Sequence, residues 1–267
     1  MATANERMVR VFERAGPDYR AATAPFIDAV ADLVVRRMEV GRGAVVVDLA
    51  AGPATVFLAL QRSGLRRVEA SGIDLSDRQL QAGRNQLTEL HWTARMVHAD
   101  VENVDVKDDS VDAVTCSLGL PYFTDPLRVI REAARIARPG AAVVFTTFGR
   151  PLFGGAGDRL VSAMNRIEAP VVGAPAAHDP EMLAQWCFRP GLKDVVIEEH
   201  DIPVQFPNFE AWWTAMQMLG FLVRLEDVPA ESVEAVRDSL REDERVVGPT
   251  GAVPLLVRVL LMRAQGD

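Results

Sequence analysis

Cysteine is nearly absent from this 267-residue sequence, and the two present, Cys116 and Cys187, cannot build a disulfide framework. Neither sits in a metal-ligand spacing, so no metal site is expected. Basic runs are missing as well. With 29 Lys and Arg against 37 Asp and Glu, the net charge is -8. That balance argues against nucleic acid as the main partner, because phosphate binding favours concentrated Lys and Arg. No apolar run is long enough to span a bilayer, and residues 1–7 lack the apolar core of a secretory signal. A Lys-Ser or Lys-Thr pair after a glycine-rich loop is also lacking, which excludes a P-loop. These absences lead to the expectation of a cytoplasmic protein with a small-molecule partner; a homodimer is left open.

The sequence does contain a regular alternation of strand and helix patterns. A helix is expected over Ala22–Val40, with Pro25 in its first turn. Buried strands follow at Ala44–Leu49, Arg67–Ile73, Thr93–His98, Val111–Ser117 and Ala141–Phe148. Helices are read at Thr55–Arg62, at Asp77–Leu90 with Ser76 as N-cap, and at Leu127–Ala137, stopped by a turn at Arg138-Pro139-Gly140. Gly149–Pro190 interrupts the alternation and reads as a lid insertion, with helical pieces at Asp158–Arg166 and Asp179–Phe188. Strand Asp194–Gln205, helices Phe209–Leu222 and Pro229–Glu242, and strand Val253–Met262 complete the chain. The pattern predicts an α/β, doubly wound, Rossmann-like sheet with helices on both faces. It divides into a helical cap (1–40), a cofactor-binding core (41–148), the lid (149–190) and a C-terminal part that completes the sheet (191–267).

The chemistry concentrates where Val45–Leu49 breaks into the small-residue turn Ala50-Ala51-Gly52-Pro53-Ala54. Such a turn lets a ligand approach the backbone, and an acid closing the second strand can bind ribose hydroxyls. Asp48, Asp74 and Asp100 close the first three strands. Each alone reads as a turn-stabilising acid; in register they point to a nucleoside ligand. An acid at the head of the turn, with Pro53 inside it, disfavours a pyrophosphate. For a second ligand, the candidates are Tyr19, Tyr122, His178, Trp213 and Met216. His178, between Pro175 and Pro180, and Tyr122 are the catalytic candidates. The blander alternatives are aromatic packing for the tyrosines, an exposed loop position for His178, and plain core for Trp213 and Met216.

The ordered set resembles the class I S-adenosylmethionine-dependent methyltransferases over about Phe12–Phe148. It is most similar to the branch of quinone-biosynthesis and bacterial natural-product methyltransferases. The entry Phe12-Glu13-Arg14-Ala15-Gly16-Pro17-Asp18-Tyr19, the step Asp74-Leu75-Ser76 and Arg138-Pro139-Gly140 carry the likeness. The resemblance implies seven strands, the last running antiparallel. It also implies S-adenosyl-L-methionine as cofactor and methyl transfer to oxygen, nitrogen or carbon of a small, largely apolar molecule of secondary metabolism. Asp48, Ala50 and Gly52 would hold the methionine part, Asp74 the ribose with Leu75 and Gln79 nearby, and Asp100 and Val101 the adenine. Ser117 and Leu118 would form the wall beneath the sulfonium. The family commonly has Gly-x-Gly-x-Gly at the turn, and Ala50 and Ala54 stand where glycines are expected. Alanine there is costly if positive φ is required. That departure keeps two further readings open: a cyclase or pericyclase using the cofactor structurally, and a non-catalytic ligand-binding protein.

Overall fold

The computed structural model describes residues 4–16, 18–65, 67–150, 154–167, 175–219 and 228–266. The apolar runs become β1 (Val45–Leu49), β2 (Glu69–Asp74), β3 (Arg95–His98), β4 (Val111–Ser117), β5 (Ala137–Phe148), β6 (Lys193–Phe206) and β7 (Val253–Gln265). They form one seven-stranded sheet in the order β3-β2-β1-β4-β5-β7-β6. Neighbours among β1 to β5 pair in parallel, while β7 inserts antiparallel between β5 and β6. The expected seven-stranded sheet with an antiparallel last strand is therefore present.

Successive side chains of a strand face opposite sides, so a strand covered on both faces reads as an unbroken apolar run. In β1, Val46 packs with α2 (Asp18–Met38), α3 (Thr55–Arg62) and α4 (Asp77–Glu89), while Val47 packs with α5 (Pro126–Ile136) and α7 (Pro180–Phe188). A third core gathers α6 (Ala156–Arg166), α8 (Phe209–Met218) and α9 (Ala230–Glu242) around Phe206, Val253 and Phe26. The helix α1 (Ala4–Ala15) lies apart from these, burying Met8 and Val11. Side-chain caps fix several starts: Ser76 accepts from the Gln79 N–H, Asp125 from Arg128, Asp179 from Glu181 and Asn208 from Ala211.

Several expectations are corrected. Pro25 lies inside α2, which begins at Asp18, so the helix carries one missing backbone donor in its interior. The turn expected at Arg138-Pro139-Gly140 is an irregularity within β5. Its pairing with β4 shifts between Val111 and Ala113, Gly140 takes φ +78°, and the Arg138 guanidinium pairs with Asp112. Helix α8 ends at Met218 with Leu219 as its C-cap, and residues 220–222 of the expected Phe209–Leu222 helix lie outside the described residues. Of the segment 149–190, residues 151–153 and 168–174 are likewise outside, and α7 lays Leu183, Trp186 and Cys187 into the core it shares with α5.

Candidate functional site

The strand order reverses at β1, which lies between β2 and β4, and open α/β sheets bind ligands at the carboxyl ends of strands at such a point. A cavity of about 1060 Å³, open mouth included, occupies that position. Asp48, Ala50, Gly52, Asp74, Leu75, Gln79, Asp100, Val101 and Ser117 all line it. The nine residues that the family resemblance assigns to a cofactor thus border one cavity.

The turn between β1 and α3 is left-handed at Ala50 (φ +56°), Gly52 (φ +50°) and Ala54 (φ +62°). Two of these are the alanines standing at expected glycine positions, and each carries roughly 1 kcal/mol or more of strain. Room for the turn's methyls comes from glycines on the facing elements. A Cβ built on Gly72 would lie 2.7 Å from the Ala51 methyl, one on Gly83 3.1 Å from Ala54, and one on Gly119 3.1 Å from Ala50. The turn thus packs its methyls against positions that lack a side chain. The Gly52 N–H, 2.9 Å from Asp74 Oδ2, ties it to β2.

Asp74 accepts from two backbone donors, Gly52 N at 2.9 Å and Ser76 N at 2.8 Å. Burial raises its pKa, and those bonds pull the other way. Each oxygen keeps lone-pair capacity for one more donor, which suits a pair of hydroxyls. Asp48 is 1 % exposed and accepts from Thr115 Oγ1 at 2.7 Å. Burial lifts its pKa to about 7, with the Thr115 bond opposing and the nearby Asp74 charge adding to the rise. Asp100 Oδ1 accepts from the Glu102 N–H at 2.9 Å. Gln79 is 2 % exposed and lines the cavity; its Nε2 donates to the Phe12 carbonyl at 3.2 Å, while its Oε1 is buried without a partner.

The roof is apolar. Met8, Val9 and Phe12 of α1, Tyr19 and Ile27 of α2, and Tyr122 and Phe123 after β4 face the cavity. Phe12 meets Tyr122 edge-on at 5.2 Å and Tyr19 at 5.8 Å. Glu13 latches α1 to the start of α4, accepting from Ser76 Oγ at 2.8 Å and from the Arg78 N–H at 3.3 Å. Within the helical cap expected over 1–40, the helix bounds Ala22–Val40 leave α1 out, although Met8, Val11, Phe12 and Ala15 recur at helical spacing.

The second-ligand candidates separate. Tyr19 and Tyr122 border the cavity. The Tyr122 hydroxyl donates to the Leu219 carbonyl at 2.8 Å, and burial drives its pKa far up, so it does not serve as a base near neutrality. His178 sits outside the cavity lining: its Nδ1–H donates to the Phe148 carbonyl at 2.8 Å, and burial holds its pKa below the usual histidine range. Trp213 and Met216 are also away from the cavity. They are buried in the C-terminal core, where Trp213 stacks on Phe209 at 6.1 Å because α8 turns this face toward α2 and α9. Among the described residues no cluster of three His, Cys, Asp or Glu could hold a metal ion, and no helix is long and apolar enough to cross a membrane.

Residues 47–145 match the family model described as a methyltransferase domain. A demethylmenaquinone methyltransferase of Clavibacter sepedonicus is 38% identical over 106 residues, which is 40% of this chain and 42% of that protein. The matched region thus spans less than half the length of that relative. Among solved structures, the YcgJ protein of Bacillus subtilis superposes with a TM-score of 0.61 at 17% identity, covering 90% of this chain and 99% of that one. The [4+2]-cyclase SpnF gives 0.55 at 18% identity, covering 90% and 82%. At such identities the two structures establish the fold.

Proposed function

We propose, for a chain whose residues 47–145 belong to the methyltransferase domain family, that it transfers a methyl group from S-adenosylmethionine to a small, largely apolar acceptor. The observation that carries this reading is the convergence of Asp48, Asp74 and Asp100 in one cavity. The residues fit the cofactor: Asp74 and Gln79 for the ribose hydroxyls, Asp100 and Val101 beside the adenine, and the turn from Ala50 to Ala54 with Asp48 at the amino-acid end. A cofactor without phosphates suits a cavity floored by acids. When bound, it supplies an electrophilic methyl group on a cationic sulfur.

The chain's own contribution is alignment and exclusion of water. Phe12, Tyr19 and Tyr122 close over the cavity, and their ring edges and faces shape an apolar slot for a flat acceptor. The likeness to demethylmenaquinone methyltransferases supports a quinol-type ring as the first acceptor to test.

The test combines calorimetric titration of S-adenosylhomocysteine with mass spectrometry of reduced 1,4-naphthoquinone incubated with methyl-labelled S-adenosylmethionine. Micromolar cofactor binding and a labelled methyl on the ring are expected. No binding defeats the proposal. Binding with rearrangement of an acceptor and no methylated product moves it to the cyclase reading.

A further inference from the structure

A strained residue on the cavity wall points to the residue behind it. Leu118 takes φ +61°, is 6 % exposed and faces the cavity. Left-handed backbone at a bulky residue persists only where surroundings enforce it. The enforcement comes from Thr146. The Leu118 N–H donates to the Thr146 carbonyl at 3.0 Å and to Thr146 Oγ1 at 3.1 Å. Thr146 lies on β5 paired with Ser117, is fully buried and does not line the cavity. The wall has little room to relax, since a Cβ on the next residue, Gly119, would meet Cys116 Sγ at 2.7 Å.

Two hydroxyls meet behind the wall. Thr146 Oγ1 accepts the Leu118 hydrogen and has its own hydrogen to give to Ser117 Oγ, 3.4 Å away. A serine oxygen that accepts there keeps its own hydrogen for a further acceptor, and Ser117 borders the cavity. We propose that Thr146 is a positioning residue that makes Ser117 a hydrogen-bond donor toward the cavity, so that the ligand atom settling on this wall is an accepting oxygen. The inference rests on the cavity being the cofactor and acceptor site. Such an oxygen belongs either to the carboxylate of the cofactor or to a carbonyl or hydroxyl of the acceptor.

Two calorimetric arms distinguish these sources: S-adenosylhomocysteine into the free protein, and 1,4-naphthoquinone into the S-adenosylhomocysteine-loaded protein. Thr146→Val and Ser117→Ala should each weaken binding about five- to tenfold in one and the same arm, the loss of a single hydrogen bond. The double variant should be no weaker than either single one, and Thr146→Ser should stay within about twofold of the parent. A structural role alone predicts neither the non-additivity nor the serine rescue. The proposal fails if both single variants leave both affinities unchanged, if their losses multiply, or if Thr146→Ser is as weak as Thr146→Val. Should Thr146→Val not fold, unchanged affinities in Ser117→Ala suffice to overturn it. Should naphthoquinone not bind the parent, the S-adenosylhomocysteine arm decides alone. No S-adenosylhomocysteine binding to the parent protein instead defeats the proposed function itself.

Discussion

The floor and the roof of the cavity are built by opposite means. The floor takes its acids from successive strand ends and fixes them by directional bonds: Asp74 through Gly52 N and Ser76 N, Asp100 through Glu102 N, and Asp48 through Thr115 Oγ1. The roof collects Phe12 from α1, Tyr19 from α2 and Tyr122 from the turn after β4. Its cavity face is made of ring contacts, and bonds behind that face hold it: Tyr122 to Leu219, Ser76 and Arg78 to Glu13, and Gln79 to the Phe12 carbonyl. Directional bonds select what sits on the floor, whereas the roof supplies shape and dryness. Changes to the floor should therefore move cofactor affinity, and changes to the roof should move the acceptor terms.

The severest test of that division is Asp74→Ala. It removes an acceptor for ligand hydroxyls, each bond to a charged group contributing about 1.5–3 kcal/mol, so S-adenosylhomocysteine affinity should fall about 100-fold or more by calorimetry. A loss under about tenfold would break the comparison.

Next in size is a pH effect confined to the floor. Asp48 has its carboxyl lifted from 3.8 to about 7 by burial. Between those values the folded chain holds a proton that the unfolded chain has released. The group's stabilisation is thus present at pH below about 3.8 and gone once pH passes about 7. Stability of the ligand-free protein should fall as pH rises across that window, by at most about 1.4 kcal/mol per unit. Urea midpoints at about pH 5 and pH 7 measure this slope, and Asp48→Asn should flatten it.

A third change targets the small residues packed against the turn. Gly72→Ala puts a methyl 2.7 Å from that of Ala51, an overpacking that should destabilise by about 1–3 kcal/mol in urea unfolding. Ala51→Gly in the same chain should recover most of the loss. Failure of that rescue would mean that the contact is not what fixes the turn.

The same contrast explains what could be read from the sequence. Floor residues announce themselves because periodic apolar runs end in an acid, as at Asp48 and Asp74, and because Ser76 caps the helix that follows Asp74. The roof depends on how α1 folds back over α4, which no local pattern encodes; only the spacing of Met8, Val11 and Phe12 hints at an apolar face. Trp213 and Met216 misled for a related reason. Helical aromatic spacing says that a face is buried, not what buries it, and here it is the C-terminal core. The left-handed Ala50 and Ala54 follow from the turn's geometry, but the glycines that make room for their methyls lie on other elements.

On the roof, Phe12→Ala removes two edge-to-face contacts of about 0.5–1.5 kcal/mol each. It should lower kcat for a methylated acceptor roughly tenfold by admitting water, while S-adenosylhomocysteine affinity stays within about threefold. Equal losses in both would merge floor and roof into one unit.

The smallest effect is expected at Ala54→Gly, and its size carries the most information about the floor. Ala54 heads α3 at φ +62°, a conformation costing alanine about 1 kcal/mol. Glycine relieves that strain but adds about 0.5–1 kcal/mol of unfolded-chain entropy to be lost on folding. It also removes a methyl that fills the space facing Gly83. These contributions nearly cancel, so urea unfolding should shift by less than about 0.5 kcal/mol and cofactor affinity should not change. A gain above about 1 kcal/mol would show that the strain outweighs the packing. The left-handed turn would then be held in place at the expense of stability, as functional sites are, and not by its fit to Gly83.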